Sequence, residues 1–135
     1  MLKQSLLATV AAVAFGTSAM ADVPILSGKY VANVVENCVA LDGTFSQLSG
    51  IVEFDPSSGK VDQDVSLVSG NPLNLQNLKA HGTYSNSKST LTLDTNTFQA
   101  TYGNLSKGIA TYVSYIGLVE NGPGNCGVQG WLSHK

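Results

Sequence analysis

The residues of this chain that could do chemistry are few: two cysteines, two histidines and a short set of carboxylates. Cys126 lies in the run NGPGNCGVQGW (residues 121–131), which combines four glycines with a proline. Such a run could be a phosphate-binding loop, a redox site or a turn. A phosphate loop needs a helix N-terminus behind its glycines, and here the glycines stand between two segments with strand periodicity. We therefore interpret residues 121–125 as a turn, since Asn, Gly and Pro supply turn geometry.

Cys38 and Cys126 are the two cysteines of the chain. An even number of cysteines in an exported protein indicates a disulfide framework. Metal ligation and a reactive thiol are the alternatives, but two cysteines and two scattered histidines lack the close-paired spacing of a zinc site. The sequence thus predicts a disulfide between Cys38 and Cys126 and no metal site.

The remaining polar residues do not form a recognisable catalytic set. No serine stands in a G-x-S-x-G elbow. Asp62 and Asp64 share the polar face of a predicted strand, His81 lies on a solvent-facing side, and His134 is the penultimate residue. Asp55 in DPSSG could contribute to a calcium loop, but a hairpin turn accounts for every residue there. We predict no catalytic residues, no cofactor and no enzymatic activity.

The N-terminus has the features of an export signal. Lys3 precedes an apolar run at residues 6–15, and Ala19-Met20-Ala21 fits the small-x-small cleavage pattern. We predict that residues 1–21 are a signal peptide cleaved after Ala21. Residues 22–135 then form a single all-β domain that is periplasmic or secreted. The apolar run is shorter than the roughly 20 residues that cross a bilayer, so no transmembrane segment is expected.

The composition excludes one class of partner. The formal net charge is −2, charged residues make up 12% of the chain, and all seven basic residues are lysine. Arginine is the preferred residue for bidentate contacts with phosphates and base edges. Its absence from an acidic chain argues against nucleic-acid binding.

Apolar residues alternate with period two along almost all of residues 28–133, and no window shows a helical stripe. Turn sequences separate the segments at DPSSG (55–59), SNSK (85–88) and DTN (94–96). The segment GIATYVSYIGLV (108–119) is predicted to be the longest strand and is apolar on both faces. Such a strand is covered on both sides or contacts a partner or ligand.

About eight antiparallel strands at hairpin spacing predict an all-β fold. An up-and-down barrel leaves no sheet edge exposed, and a two-sheet β-sandwich is the alternative. A disulfide between the first and last strands favours the barrel. This architecture resembles that of the lipocalin-type calycins. The likeness is one of architecture alone, since the residues after the first glycine read Gly28-Lys29-Tyr30 and not G-x-W.

Aromatic residues are spread over nearly every predicted strand. Inward side chains of an eight-stranded barrel either fill it or line one small cavity. The sequence predicts an exported, non-catalytic barrel that binds a small apolar or amphipathic ligand. The alternative is a protein-interaction module, such as an exported inhibitor or a surface or fibre subunit, that uses the apolar strand at 109–119. The predicted cavity-lining residues are Tyr30, Tyr84, Tyr102, Tyr112 and Trp131.

Overall fold

The computed structural model describes residues 23–38, 44–69, 74–121 and 124–135. The predicted signal peptide lies outside these residues. The strands are β1 (Gly28–Cys38), β2 (Thr44–Asp55), β3 (Lys60–Ser69), β4 (Asn74–Asn86), β5 (Thr90–Leu93), β6 (Asn96–Gly103), β7 (Tyr112–Asn121) and β8 (Gly124–His134). Among the described residues, no helix has the length and apolar character that crossing a membrane requires.

Each strand pairs antiparallel with the next one, and β8 pairs back onto β1, so the sheet is a closed barrel. The closing seam runs from Tyr30↔His134 to Asn37↔Gly127. This topology confirms the predicted up-and-down barrel and excludes the sandwich. We call the end at which β1 begins and β8 finishes the base, and the opposite end, near Cys38, the mouth.

Alternation along the strands decides which side chains point inward. On β1 the inward residues are Tyr30, Ala32, Val34, Glu36 and Cys38, and the residues between them face outward. The same period-two pattern on the other strands produces one apolar interior. Because the β1 register pairs Tyr30 with Val52 and Val34 with Leu48, inward residues of neighbouring strands lie side by side.

The base of the barrel is filled. Tyr30, Leu91 and Val113 are fully buried there, together with Leu26 from the segment that precedes β1. That segment crosses the base because its backbone pairs with the β6–β7 connection. The Ile25 N–H donates to the Gly108 carbonyl at 2.9 Å, and the Ala110 N–H donates to the Ile25 carbonyl at 2.9 Å. The base is therefore sealed by main-chain hydrogen bonds as well as by apolar packing.

This pairing corrects one predicted strand. Residues 108–119 were expected to form the longest strand, but β7 begins at Tyr112 and the longest strand is β4, with 13 residues. Ile109 forms an isolated bridge with Ile25 instead of continuing β7. The chain turns just before it, where Lys107 and Gly108 have positive φ angles of 52° and 82°.

The DPSSG sequence forms the β2–β3 turn, as predicted. The Asp55 carboxylate accepts hydrogen bonds from the Ser57 N–H at 3.0 Å, the Ser57 hydroxyl at 2.7 Å and the Ser58 hydroxyl at 2.9 Å. These bonds hold the pKa of Asp55 below its ordinary value. The carboxylate is thus used by the turn itself, which is the role that Asp most often has at this position.

The wall of the barrel has a gap on the mouth side. Within β4, only residues 84–86 pair with β5, and within β7 only residues 112–116 pair with β6. Residues 74–82 pair with β3 alone, and residues 117–121 pair with β8 alone. The short β5–β6 hairpin therefore ends below the mouth. We call the opening above it, between β4 and β7, the side gap.

Candidate ligand-binding site

A cavity of about 250 Å³ occupies the half of the barrel between the filled base and the mouth. Its apolar lining comes from seven of the strands. Leu93, Asp94 and Asn96 at the tip of the β5–β6 hairpin also line it, so the cavity borders the side gap. The apolar lining residues are Ala32, Val34, Leu48, Val52, Phe54, Val61, Val65, Leu93, Phe98, Tyr115, Val119, Val128 and Leu132.

Tyr115 is the aromatic residue with the most direct role in shaping the cavity. It lies opposite Gly130 on β8, and a Cβ at Gly130 would overlap the Tyr115 ring. The missing side chain lets the ring lie flat across the neighbouring strand. Phe98 packs against it with ring centroids 5.2 Å apart. The two rings together form one wall of the cavity.

Three neutral polar groups line the cavity without a protein partner among the described residues. They are the Tyr115 hydroxyl and the side-chain amides of Gln63 and Asn96. Burial raises the pKa of Tyr115 to about 12, so the hydroxyl is protonated at neutral pH and can donate a hydrogen bond. The cavity thus combines apolar walls with a few unused donors and acceptors, as ligand pockets do.

Two carboxylates, those of Glu36 and Asp94, complete the lining. Asp94 has a positive φ of 54° at the hairpin tip, and its Oδ1 accepts a hydrogen bond from the Thr83 N–H at 3.0 Å. This bond ties the hairpin to β4. Glu36 points inward near the mouth, where Cys38 Sγ lies 3.6 Å from its Oε1.

Cys38 and Cys126 form the predicted disulfide, which joins β1 to β8 inside the mouth. Both cysteines are buried. The bond indicates an oxidising, extracytoplasmic compartment. Glu36 and the two sulfur atoms lie within 4.8 Å of one another, but disulfide sulfurs are not thiolates and do not make a metal site.

Three of the five predicted lining residues point inward, but they lie at the base rather than in the cavity. The hydroxyls of Tyr30, Tyr84 and Tyr102 each donate to a backbone carbonyl. The acceptors are Ala110 at 2.6 Å, Leu26 at 2.8 Å and Thr90 at 2.6 Å, respectively. Burial raises the pKa of Tyr84 and of Tyr102 to about 12. These tyrosines hold the base together and have no free hydroxyl to offer a ligand.

The other two, Tyr112 and Trp131, lie on the outer face, which corrects the prediction that they point inward. Tyr112 is 40% exposed, and Trp131 pairs with the outward Ser114. The signal for this was present in the sequence. Trp131 is five residues from Cys126, so the two side chains point to opposite faces of β8. Tyr115 points inward but was not among the predicted lining residues. The reason is that β7 is apolar on both faces, so hydrophobicity does not show which face is the inner one.

The histidines and paired carboxylates do not come together. His81 Nδ1 lies 2.7 Å from Asp62 Oδ1 on the outer face, where both side chains are mostly exposed. Asp64 is exposed on the same outer face of β3. His134 lies at the base, with Nε2 3.0 Å from the Ser27 carbonyl and its ring against Tyr30. Neither histidine lines the cavity.

Fold and site together define a disulfide-bonded, eight-stranded up-and-down β-barrel with an apolar cavity between its filled base and its mouth. No protein-family model, curated protein or solved structure matches the chain. The function must therefore be argued from the cavity itself.

Proposed function

We propose that this protein binds one small apolar or amphipathic molecule inside the barrel and acts as a non-catalytic carrier or sequestering protein outside the cytoplasm. The observation that carries the proposal is the contrast between the two halves of the interior. The base is filled, and its tyrosine hydroxyls are hydrogen-bonded. The other half is hollow, apolar and lined by hydrogen-bonding groups that have no partner in the described part of the chain.

The size of the cavity limits the ligand. At about 250 Å³ it lies just below the range of roughly 300–1,000 Å³ typical of pockets for drug-sized molecules. A molecule with a short alkyl chain or a single ring fits this space better than a long-chain lipid. The side gap gives such a molecule a route between β4 and β7 without opening the base.

Two neighbouring valines provide a direct test. Val34 lines the cavity, whereas Val35, the next residue on β1, faces outward beside Gln47 and Gln129. We expect Val34→Phe to fill the cavity and reduce the affinity for hexanol at least about tenfold, a change of about 1.4 kcal/mol in binding free energy. Val35→Phe adds the same ring outside and should bind as the wild type does. Isothermal titration calorimetry measures both.

Native mass spectrometry of the protein purified from the compartment to which it is exported then identifies the natural ligand. A stoichiometric small molecule that is retained by Val35→Phe and lost by Val34→Phe would support the proposal. Measurable hexanol binding that is equal in the two variants would refute it.

A protein-interaction role is the second candidate, and the outer face of β7 favours it. Ile116 and Leu118 are 57% and 66% exposed, and they lie side by side with the uncharged residues Gln129 and Gly127 of β8. Exposed apolar patches of this kind mark contact sites on soluble proteins. A co-purifying protein that is lost with Leu118→Lys but retained with Val34→Phe would favour this role over the carrier.

A further inference from the structure

The charges that line the cavity are all of one sign. Among the residues that the structure describes, Glu36 and Asp94 are the charged ones that line the cavity, and no lysine lines it. The Glu36 carboxylate accepts no hydrogen bond from the described residues. Its neighbour Cys38 Sγ cannot donate one, because this sulfur is bonded to Cys126 and carries no hydrogen. Asp94 uses one oxygen on the Thr83 N–H. Both carboxylates therefore keep acceptor capacity that faces the cavity.

Most of the lysines of the barrel lie at the base, the end opposite the mouth. Lys79 is the exception, and it faces outward from β4 opposite Asp64. The three residues at the mouth-side end of each described strand include no lysine, and Glu36 and Glu120 are their charged residues. The lysines at or next to the base are Lys29, Lys60, Lys88, Lys107 and Lys135.

This distribution discriminates between ligand head groups. A carboxylate ligand would bring a third negative charge into a cavity whose described lining residues include no cation, and an unpaired buried charge is costly. An ammonium head group carries three donors and would pair with the carboxylates. The negative mouth would also attract a cation from solution, because the charge distribution of a protein steers ions of opposite sign.

We propose that the ligand is a cationic amphiphile, a small primary amine with a short apolar chain or ring, rather than a carboxylic acid. This inference rests on the proposed function and specifies its ligand class. The ammonium pairs with one of the two cavity carboxylates, Glu36 on β1 or Asp94 at the tip of the β5–β6 hairpin. The apolar part lies deeper, among Val52, Phe54 and Leu132.

Calorimetric titration with hexylamine, hexanol and hexanoate at neutral pH tests the proposal, because these probes share one chain and differ in head-group charge. We expect hexylamine to bind most tightly and hexanoate most weakly. The double variant Glu36→Gln/Asp94→Asn should weaken hexylamine binding about tenfold more than it changes hexanol binding, the loss of one charge-assisted hydrogen bond. Asn at position 94 keeps an oxygen for the Thr83 N–H, so the hairpin stays tied.

A matched control changes net charge equally on the outer face. Glu53 and Asp64 face outward and are exposed, so Glu53→Gln/Asp64→Asn should leave hexylamine affinity near that of the wild type. An equal loss in both double variants would assign the effect to net charge and overturn the role of the cavity carboxylates. Hexanoate binding as tight as that of hexylamine would overturn the ligand class while leaving the carrier function standing. Failure of all three probes to bind would refute the carrier function itself.

Discussion

The Tyr115 side chain packs in the barrel wall, lines the cavity and carries an ionisable hydroxyl. Its ring needs the space left by Gly130 and packs on Phe98. Its hydroxyl faces the cavity and has no hydrogen-bond partner among the residues described. The base tyrosines differ because their hydroxyls bind backbone carbonyls. Replacement of Tyr115 by Phe thus removes an ionisable group from the interior without breaking a hydrogen bond among the described residues.

We expect Tyr115 to make the stability of the protein depend on pH in the alkaline range. Its pKa is about 12 in the folded protein and about 10 in an unfolded chain. Between these values the folded state binds more protons than the unfolded state, so the free energy of unfolding falls as pH rises. The contribution is fully present below pH 10 and is lost by about pH 12. Its upper size is about 2–3 kcal/mol.

Urea unfolding of the wild type and Tyr115→Phe across this range measures the effect. The variant should lose less stability than the wild type between pH 10 and 12, while the two remain similar at neutral pH. Tyr112→Phe on the outer face is the matched control and should follow the wild type. Parallel pH curves for all three proteins would show that Tyr115 ionises as freely when folded as when unfolded.

Residue-level prediction succeeded for the disulfide, where only one pairing was possible, and failed for the cavity aromatics, where either face of a strand could point inward. Two cysteines in a chain predicted to be exported can make one intramolecular bond, so Cys38 and Cys126 could be paired from sequence. The cavity aromatics could not be selected in that way, because β7 is apolar on both faces and hydrophobicity does not distinguish Tyr112 from Tyr115. Counting the phase of β8 from Cys126 would have placed Trp131 outside.

At the scale of elements, the short β5–β6 hairpin is the feature that shapes the site. β5 has four residues and pairs only with residues 84–86 of β4, so most of β4 extends beyond it towards the mouth. The hairpin therefore leaves two edges, residues 74–82 and 117–121, with backbone groups unpaired on one side. Such edges are normally covered or protected in soluble proteins.

Hydrogen exchange of backbone amides should reveal these edges. We expect alternate amides along residues 74–82 and 117–121, those that point into the side gap, to exchange rapidly. Residues 30–37 of β1 are paired on both sides and should be protected throughout. Amide-resolved NMR exchange in the ligand-free protein measures this contrast. Uniform protection along both edges would mean that a further segment or a second chain covers the gap.

Most of the strands and the turns at DPSSG and DTN could be predicted from alternation and turn residues alone. The start of β7 could not, because Ile109 and Ala110 continue its apolar pattern but bind the segment before β1 instead. Local pattern carries no information about a partner more than 80 residues away in the chain. The side gap was missed for a related reason: strand length can be predicted, but how far two neighbours overlap depends on register.

At the scale of the whole molecule, closure of the barrel depends on the seam between β1 and β8. The Cys38–Cys126 bond lies on that seam with a sequence separation of 88, so it closes a loop that includes most of the described barrel. The predicted barrel was correct because a single sheet of eight hairpin-connected strands with joined ends has few other solutions. The hollow half could not be predicted, because it depends on whether the inward side chains of all eight strands together fill the interior.

We expect Cys38→Ala/Cys126→Ala to lower the free energy of unfolding by about 3–5 kcal/mol, because the cross-link restricts the unfolded chain. Equilibrium urea unfolding measures the loss. Wild-type protein kept reduced during unfolding is the control and should lose a similar amount. A change below about 1 kcal/mol would show that hydrogen bonding and packing along the seam hold the barrel closed without the bond.

The seam also places the C-terminal residues at the base. The Lys135 N–H donates to the Lys29 carbonyl at 2.9 Å, and His134 binds the Ser27 carbonyl. A tether attached after Lys135 would therefore leave the barrel at the base, the end opposite the mouth. Anchored to a sensor surface through this tether, the protein would turn its mouth towards the solution in a uniform orientation.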